Sequence, residues 1–452
     1  MTHATAPSAT TAVRLMPPVP GSLEETGLSG EFVTDLLLKT LYVQGARTGA
    51  ELSAFLKLPF PLLDDLLIDL QQRRYVEVRG TRGVNRASYV FDLTGEAGRG
   101  RARESMDTSQ YVGPAPVPLA QYRHWTHLQS IRHARVTRRE VEEGFSWLVL
   151  PQETLDEVGP ALNSGKSLFL YGDAGNGKTA IAETMARLIP GTMFVPHALE
   201  VDGHIIVTYD PLYHRRVDGV DPMATAATAT AATAMESLFG NDIPFDPRFV
   251  EVHRPVVMTG GELMMNQLDL QYDENAKMYQ APFQVKSNGG VLIIDDFGRQ
   301  RVEPRELLNR WIVPLEKRVD FLTLHTGGKF PVPFDTLIIF ATNITPTDLV
   351  EEAFLRRIHY KVRVESPDRP MYERIFQRIC EDRGIAYDPA AVDQVYHEFY
   401  QKHRIAPRGC HPRDVVDHLF DIASYLEQEP ALTPDLVHRA GRSYFLDFPT
   451  AV

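Results

Sequence analysis

Residues Ser167 to Thr179 spell SLFLYGDAGNGKT. The apolar run Leu168–Tyr171 feeds a loop of the form G-x-x-x-x-G-K-[ST], made of Gly172, Asp173, Ala174, Gly175, Asn176, Gly177, Lys178 and Thr179. The periodic stretch Ile181–Ile189 then reads as a helix, ended by Pro190-Gly191. Strand, glycine loop and helix come in the order that a phosphate cradle requires. Glycines let the backbone curl so that several N–H groups face one anion. In this reading Lys178 reaches the β/γ-phosphates of a nucleotide and Thr179 places its hydroxyl on Mg²⁺.

Working outward, a second segment supplies what a phosphate loop lacks. Val291-Leu292-Ile293-Ile294 suits a strand buried on both faces of a parallel sheet. Asp295 and Asp296 at its carboxyl end stand where ligands bind in open α/β sheets. Asp295 is assigned to the magnesium shell and Asp296 to polarising an attacking water. A third strand, Thr336–Thr342, ends at Asn343, whose amide can donate to a phosphate oxygen while accepting from water.

Taken in order, these motifs resemble those of the AAA+ ATPases from about Phe145 onward. Gly172–Thr179 resembles the Walker A loop, Asp295-Asp296 Walker B, and Asn343 sensor 1. Glu352–Ile358 (EAFLRRI) resembles the arginine-finger segment, with Arg357 the better candidate and Arg356 the second. Gly409–Asp414 resembles sensor 2, with Arg413 as the implied phosphate contact. Asp296 replaces the usual second Walker B glutamate and is one methylene shorter, which points to slow turnover. The resemblance implies ATP and Mg²⁺ as cofactors, ATPase activity, and a homo-oligomer, typically a ring, in which one subunit's arginine meets its neighbour's γ-phosphate. A planar, permanently charged guanidinium suits that task. Arg299 and Arg301 are either further interface residues or surface charge.

Composition sets bounds. The 452 residues allow two or three domains. No stretch reaches the apolar length of a membrane span, so no membrane insertion is expected. The Ala/Thr/Pro-rich start lacks a secretory pattern. Cys380 and Cys410 form neither a C-x-x-C pair nor a metal spacing, which fits a cytoplasmic protein. A net charge of −12 argues against broad nucleic-acid binding.

Upstream of the core, Ser29 is predicted to cap a helix over Glu31–Leu41, and Thr48 a second over Gly49–Leu56. A third helix spans Pro59–Gln72, before strands Tyr75–Arg79 and Ser88–Leu93. That order resembles a winged helix. Its third helix carries Asp64, Asp65 and Asp69, which oppose a polyanion, so a protein-interaction module is favoured over a DNA reader. The organisation expected is a flexible tail over 1–28, a winged-helix-like domain over 29–102 and a linker over 103–144. An AAA+ α/β core then runs over 145–362, its parallel sheet flanked by helices, with an insertion around 195–280. A helical lid closes the chain over 363–452.

Within that frame, the linker holds His124, Trp125, His127 and His133, either as a binding strip or as surface packing. The insertion contains a low-complexity Ala/Thr tract over 223–234, expected to be a mobile loop. It also holds Tyr209 and Tyr213, either pore aromatics or packing residues. A helix over Arg305–Arg318 is expected to be interrupted at Pro314.

Three functions fit this sequence. The first is an ATPase that remodels a protein client; the wording IIDDFGRQR and EAFLRRI resembles bacterial ATPases described as chaperones associated with Flp pilus assembly. The second is a DNA-directed helicase loader or transposition helper. The third is an ATP-gated scaffold with little turnover, which Asp296 keeps open.

Overall fold

The computed structural model describes residues 15–217, 244–349, 352–402 and 405–445. The Ala/Thr tract over 223–234, the first half of the expected tail, and the last residues of the expected lid lie outside these.

Five parallel strands form the centre: β1 (Leu168–Tyr171), β2 (Val256–Thr259), β3 (Val291–Ile294), β4 (Leu337–Thr342) and β5 (Tyr360–Arg363), in the spatial order β2-β3-β4-β1-β5. Ile293 pairs with Ile339, Ile339 with Leu168, and Leu168 with Tyr360. Side chains alternate across the sheet. Leu168, Leu170, Ile293 and Ile339 face one core, with Ile181 and Met185 of helix Lys178–Leu188 and Val158 of helix Gln152–Ser164. Phe169, Leu292, Ile338 and Phe340 face the other, against Leu307 and Trp311. Both faces are covered, which is why these strands are continuously apolar.

The helix expected over Arg305–Arg318 is two short helices, Pro304–Arg310 and Ile312–Lys317. The break falls at Trp311, one turn ahead of Pro314, which has no N–H to offer the Arg310 carbonyl and whose ring crowds it. Trp311, at the break, is fully buried against Phe334 and Phe340. With the chain restarted at Ile312, Pro314 falls in the first turn of the second helix, where its missing N–H is tolerated.

Between helix Lys178–Leu188 and β2, strand Thr192–Pro196 pairs antiparallel with Phe249–His253. Hairpin Ala198–Val201/His204–Val207 enters a second five-stranded sheet with Met278–Gln280, Gln271–Asp273 and Val117–Pro118. The last of these comes from the stretch expected to be a linker. That stretch also contributes helix Leu119–Leu128, whose Arg123 donates to the Pro331 carbonyl.

At the N-terminal end, helices Gly30–Gln44, Gly49–Leu56 and Phe60–Gln72 precede an antiparallel pair, Val76–Thr81 and Tyr89–Leu93. The Ser29 hydroxyl accepts from the Phe32 N–H, and Thr48 and Glu51 form a reciprocal capping box. Helix Glu96–Thr108 follows. The second half of the expected tail is folded: Leu28 joins this core, and the Thr26 carbonyl accepts from Arg248 at 2.9 Å. Arg248, only 1% exposed, also grips Asp246 and the side chain of Gln121. One buried guanidinium thus joins the N-terminal helices, helix Leu119–Leu128 and the inserted strands.

Helices Arg369–Arg383, Pro389–Val395, His411–Tyr425 and Pro434–Phe445 form a C-terminal block around Tyr372, Phe376, Leu419 and Val437. Cys380 is buried in it. Among the described residues no helix is long and apolar enough to cross a membrane.

Candidate functional site

β4 lies between β1 and β3, and all three run the same way. Their carboxyl ends therefore bring residues 172–179, 295–296 and 343 to one rim of the sheet. The strand order reverses here, which places a crevice at this rim.

The loop after β1 takes backbone shapes that need glycine. Gly172 has φ +143°, and a Cβ there would collide with the Val364 carbonyl. Gly175 has φ +84°, and its Cβ would lie 2.6 Å from the Cys410 sulfur. Gly177 caps helix Lys178–Leu188 without a side-chain hydrogen bond. The helix's first N–H groups are thus not taken by a capping side chain, and the positive end of its dipole faces the loop.

Lys178 reaches into the curl. Its Nζ donates to the carbonyls of Gly172 (2.9 Å) and Asp173 (2.8 Å) and to Asn343 Oδ1 (2.6 Å). Burial pulls the ammonium below the ordinary lysine value. Asp295, Asp296 and Asp173 oppose that pull, while Arg408 adds to it. The positive charge is therefore held among carboxylates at the end of the sheet.

Thr179 Oγ1 donates to Asp295 Oδ2 at 2.7 Å. The other carboxylate oxygen accepts from the Asp296 N–H at 2.9 Å. A hydroxyl and a carboxylate side by side are hard oxygen donors, the kind that magnesium takes when phosphates and waters fill the rest of its shell. Among the described residues there is no group of three or more His, Cys, Asp or Glu able to hold a metal alone. The pair fits Mg²⁺ only together with a phosphate ligand.

Asp296 is exposed and sits in the left-handed region, φ +48°, which Asp tolerates better than most residues. Its Oδ1 accepts from Asn343 Nδ2 at 3.2 Å. Asn343 therefore links Lys178 to Asp296. Asp173 and Asn176 serve a second purpose: both contact Ser366, and Asn176 Oδ1 accepts from the Gly409 N–H at 3.3 Å. The Cys410 N–H donates to the Gly175 carbonyl at 2.8 Å. Ala174 is exposed at the loop's outer surface. The loop is thus tied to the segment entering the C-terminal helices and to the turn before helix His411–Tyr425.

That turn holds a residue that the sequence motifs passed over. A Cβ on Gly175 would lie 3.6 Å from Arg408 Cδ, and the charge of Arg408 is felt at Lys178. Arg413 is one helical turn further on, its side chain 61% exposed and loosely paired with Asp414 at 3.6 Å. The only sequence signal for Arg408 is a basic residue immediately before Gly409.

Arg357 stands elsewhere. Its carbonyl accepts from Ser167 Oγ, at the start of β1. At roughly 3.3 Å per residue, about 16 Å of strand separates Ser167 from Gly172. Arg357 is therefore remote from its own chain's loop; it pairs with Glu316 at 2.6 Å. Arg356 pairs with Glu352 on an exposed surface. Tyr209 stacks on His214, and Tyr213 packs on Phe283 under the Lys286 ammonium.

A family model described as a domain of unknown function, DUF8689, matches residues 368–443, the C-terminal helices. No curated protein sequence matches the chain. Solved structures that resemble it include the RuvB Holliday junction branch migration motor of Thermotoga maritima. That match has 14% identity over 65% of this chain and 69% of that one, with a TM-score of 0.35. NtrX of Brucella abortus in complex with ATP matches at 15% identity over 66% of this chain and 59% of that one, TM-score 0.37. Superpositions this loose leave any functional reading to rest on the chain's own residues.

Proposed function

We propose that the chain binds and hydrolyses ATP as an AAA+ protein, and that it uses the nucleotide to move its C-terminal helices and remodel a protein client. The supporting observation is the continuous set of contacts Asp296–Asn343–Lys178, with Thr179–Asp295 alongside, at the rim where β1, β3 and β4 end. Phosphoryl transfer needs positioned charge more than covalent help. Magnesium, when held by Thr179 and Asp295, supplies charge neutralisation at the phosphates. Lys178 exchanges its loop carbonyls for phosphate oxygens. Asn343 orients a water against Asp296, which accepts that water's proton. Asp296 is shorter than glutamate and already engaged by Asn343, so turnover is slow.

The ties from Gly175 and Asn176 to Cys410 and Gly409 give the C-terminal block a direct grip on the loop. On this reading that block is the lid, and a change at the phosphates shifts it. Arg357, too far from its own loop, serves a neighbouring copy in an oligomer, as do Arg413 or Arg408 their own subunit's nucleotide. The protein is assigned to the cytoplasm, where ATP is.

The N-terminal helices and hairpin are read as a winged helix that contacts protein. The wing's basic residues are internally matched: Arg79 with Asp92, Arg82 with Glu51, and Arg86 with Asp64. Little free positive charge is left for a nucleic-acid backbone, so the DNA-directed reading is not favoured. The proposal is tested by client capture with Asp296→Asn, which should retain ATP and hold a protein partner. DNA-stimulated hydrolysis with salt-sensitive DNA binding would support the loader instead. Hydrolysis no faster than that of Lys178→Ala would support the scaffold.

A further inference from the structure

At the end of the sheet opposite the phosphate loop lies a cleft of about 640 Å³. Five cationic side chains, Arg132, Lys166, Arg318, Arg356 and Arg357, line it against the single carboxylate of Glu316. In a chain with net charge −12 this is an unusual concentration of positive charge.

The cations are not equivalent. Arg357 is matched by Glu316, and Arg356 by Glu352 at the rim. Lys166 and Arg318 are half-buried, and among the described residues neither has a carboxylate within ion-pair distance. Arg318 is held rigidly instead. It donates to the carbonyls of Gly165 (2.6 Å) and Thr336 (3.1 Å), which occupy two of its five donors. Burial, with the repulsion of Arg132, brings its guanidinium down to about 10 despite Asp335. Holding like charges together in a partly buried cleft is unfavourable unless an anion joins them.

We infer that this cleft is a second anion site, which takes a polyphosphate group between Lys166, Arg132 and Arg318, beside Arg357. The phosphates come either from a free nucleotide or from the triphosphate held by a second copy of this chain. The latter source rests on the nucleotide reading above; the site itself does not. A fixed guanidinium fork and a nearby ammonium are the side chains suited to phosphate oxygens.

The test is calorimetric titration with inorganic tripolyphosphate at low ionic strength. Lys178→Ala protein, weakened at the phosphate loop, should still bind it. Adding Lys166→Glu and Arg132→Glu should weaken that binding at least tenfold, and Lys166→Gln with Arg132→Gln should fall between. Arg318 is left intact because its carbonyl bonds make it part of the packing, and thermal melts check that each variant folds. Absence of binding to Lys178→Ala, or binding unchanged by charge reversal, overturns the inference. Mixing chains carrying Lys166→Glu and Arg132→Glu with Lys178→Ala chains identifies the source. Restored ATP hydrolysis assigns the phosphates to a neighbouring copy; loss of tripolyphosphate binding without restoration assigns them to free nucleotide. If wild-type protein binds tripolyphosphate here but never binds ATP at the loop, the nucleotide reading fails and this site stands.

Discussion

Asn343 Oδ1 accepts a hydrogen bond from the Lys178 ammonium at 2.6 Å, while the same amide's Nδ2 donates to Asp296. One side chain thus spans the phosphate-gripping lysine and the carboxylate assigned to the attacking water. Asn343→Ala should lower single-turnover ATP hydrolysis by about 10²-fold, the usual effect of removing one positioned polar group. ATP affinity should change much less. Rapid-quench kinetics beside fluorescent-nucleotide binding would show the difference; equal losses in both would make Asn343 a binding residue only.

Arg408 and Arg413 offer a second contrast. Arg408 lies against the loop near Gly175, whereas Arg413 is exposed and pairs with Asp414. A charge-assisted hydrogen bond is worth about 1.5–3 kcal/mol. Arg408→Ala should therefore weaken ATP binding roughly tenfold or more, with Arg408→Lys partly restoring it, and Arg413→Ala should have the smaller effect. The reverse order would restore Arg413 to the role that the sequence motif suggests.

Arg248 and Asp246 are 1% and 3% exposed, bonded at 2.7 Å. Removing one member leaves a buried charge unmatched, at a cost of about 3–5 kcal/mol. Arg248→Met should lower the melting temperature strongly, while the double change Arg248→Met/Asp246→Leu should recover much of the loss. A melting temperature unaffected by Arg248→Met would remove this residue from its joining role.

His411 makes the C-terminal block sensitive to acid. Its Nδ1 faces the Tyr400 hydroxyl at 2.9 Å and accepts from the Arg408 N–H at 3.3 Å, so the neutral ring fits this pocket. Burial, aided by Arg408 and opposed by Asp414, lowers its pKa to about 4. The unfolded chain takes up this proton near pH 6.5 and the folded chain only near 4, so stability falls as pH drops through that window. At 1.36 kcal/mol per unit the loss is on the order of 3 kcal/mol. Chemical denaturation between pH 7 and pH 4 should show that slope, and His411→Asn should flatten it.

How much of this was legible in the sequence depends on range. Gly172–Thr179 and Val291–Asp296 carry their meaning locally, because loop curvature and strand burial are set by consecutive residues. The caps at Ser29 and Thr48 are local too. Val117–Pro118 gave no strand signal, since a two-residue strand becomes one only when Ala198–Val201 lies beside it. Residues 15–28 read as a tail because their partner, Arg248, is more than 200 positions away. The interruption expected from Pro314, by contrast, is local, because a proline acts on the carbonyl four residues back, where the helix breaks. Arg408 escaped notice because its position beside Gly175 is purely tertiary.

Calorimetric titration of MgATP into wild-type protein and the Lys178→Ala variant tests the central claim most directly. The account predicts saturable binding to wild type in the micromolar to millimolar range usual for enzyme substrates, strongly weakened by Lys178→Ala. Absence of binding to wild type, or equal binding by both proteins, would contradict it.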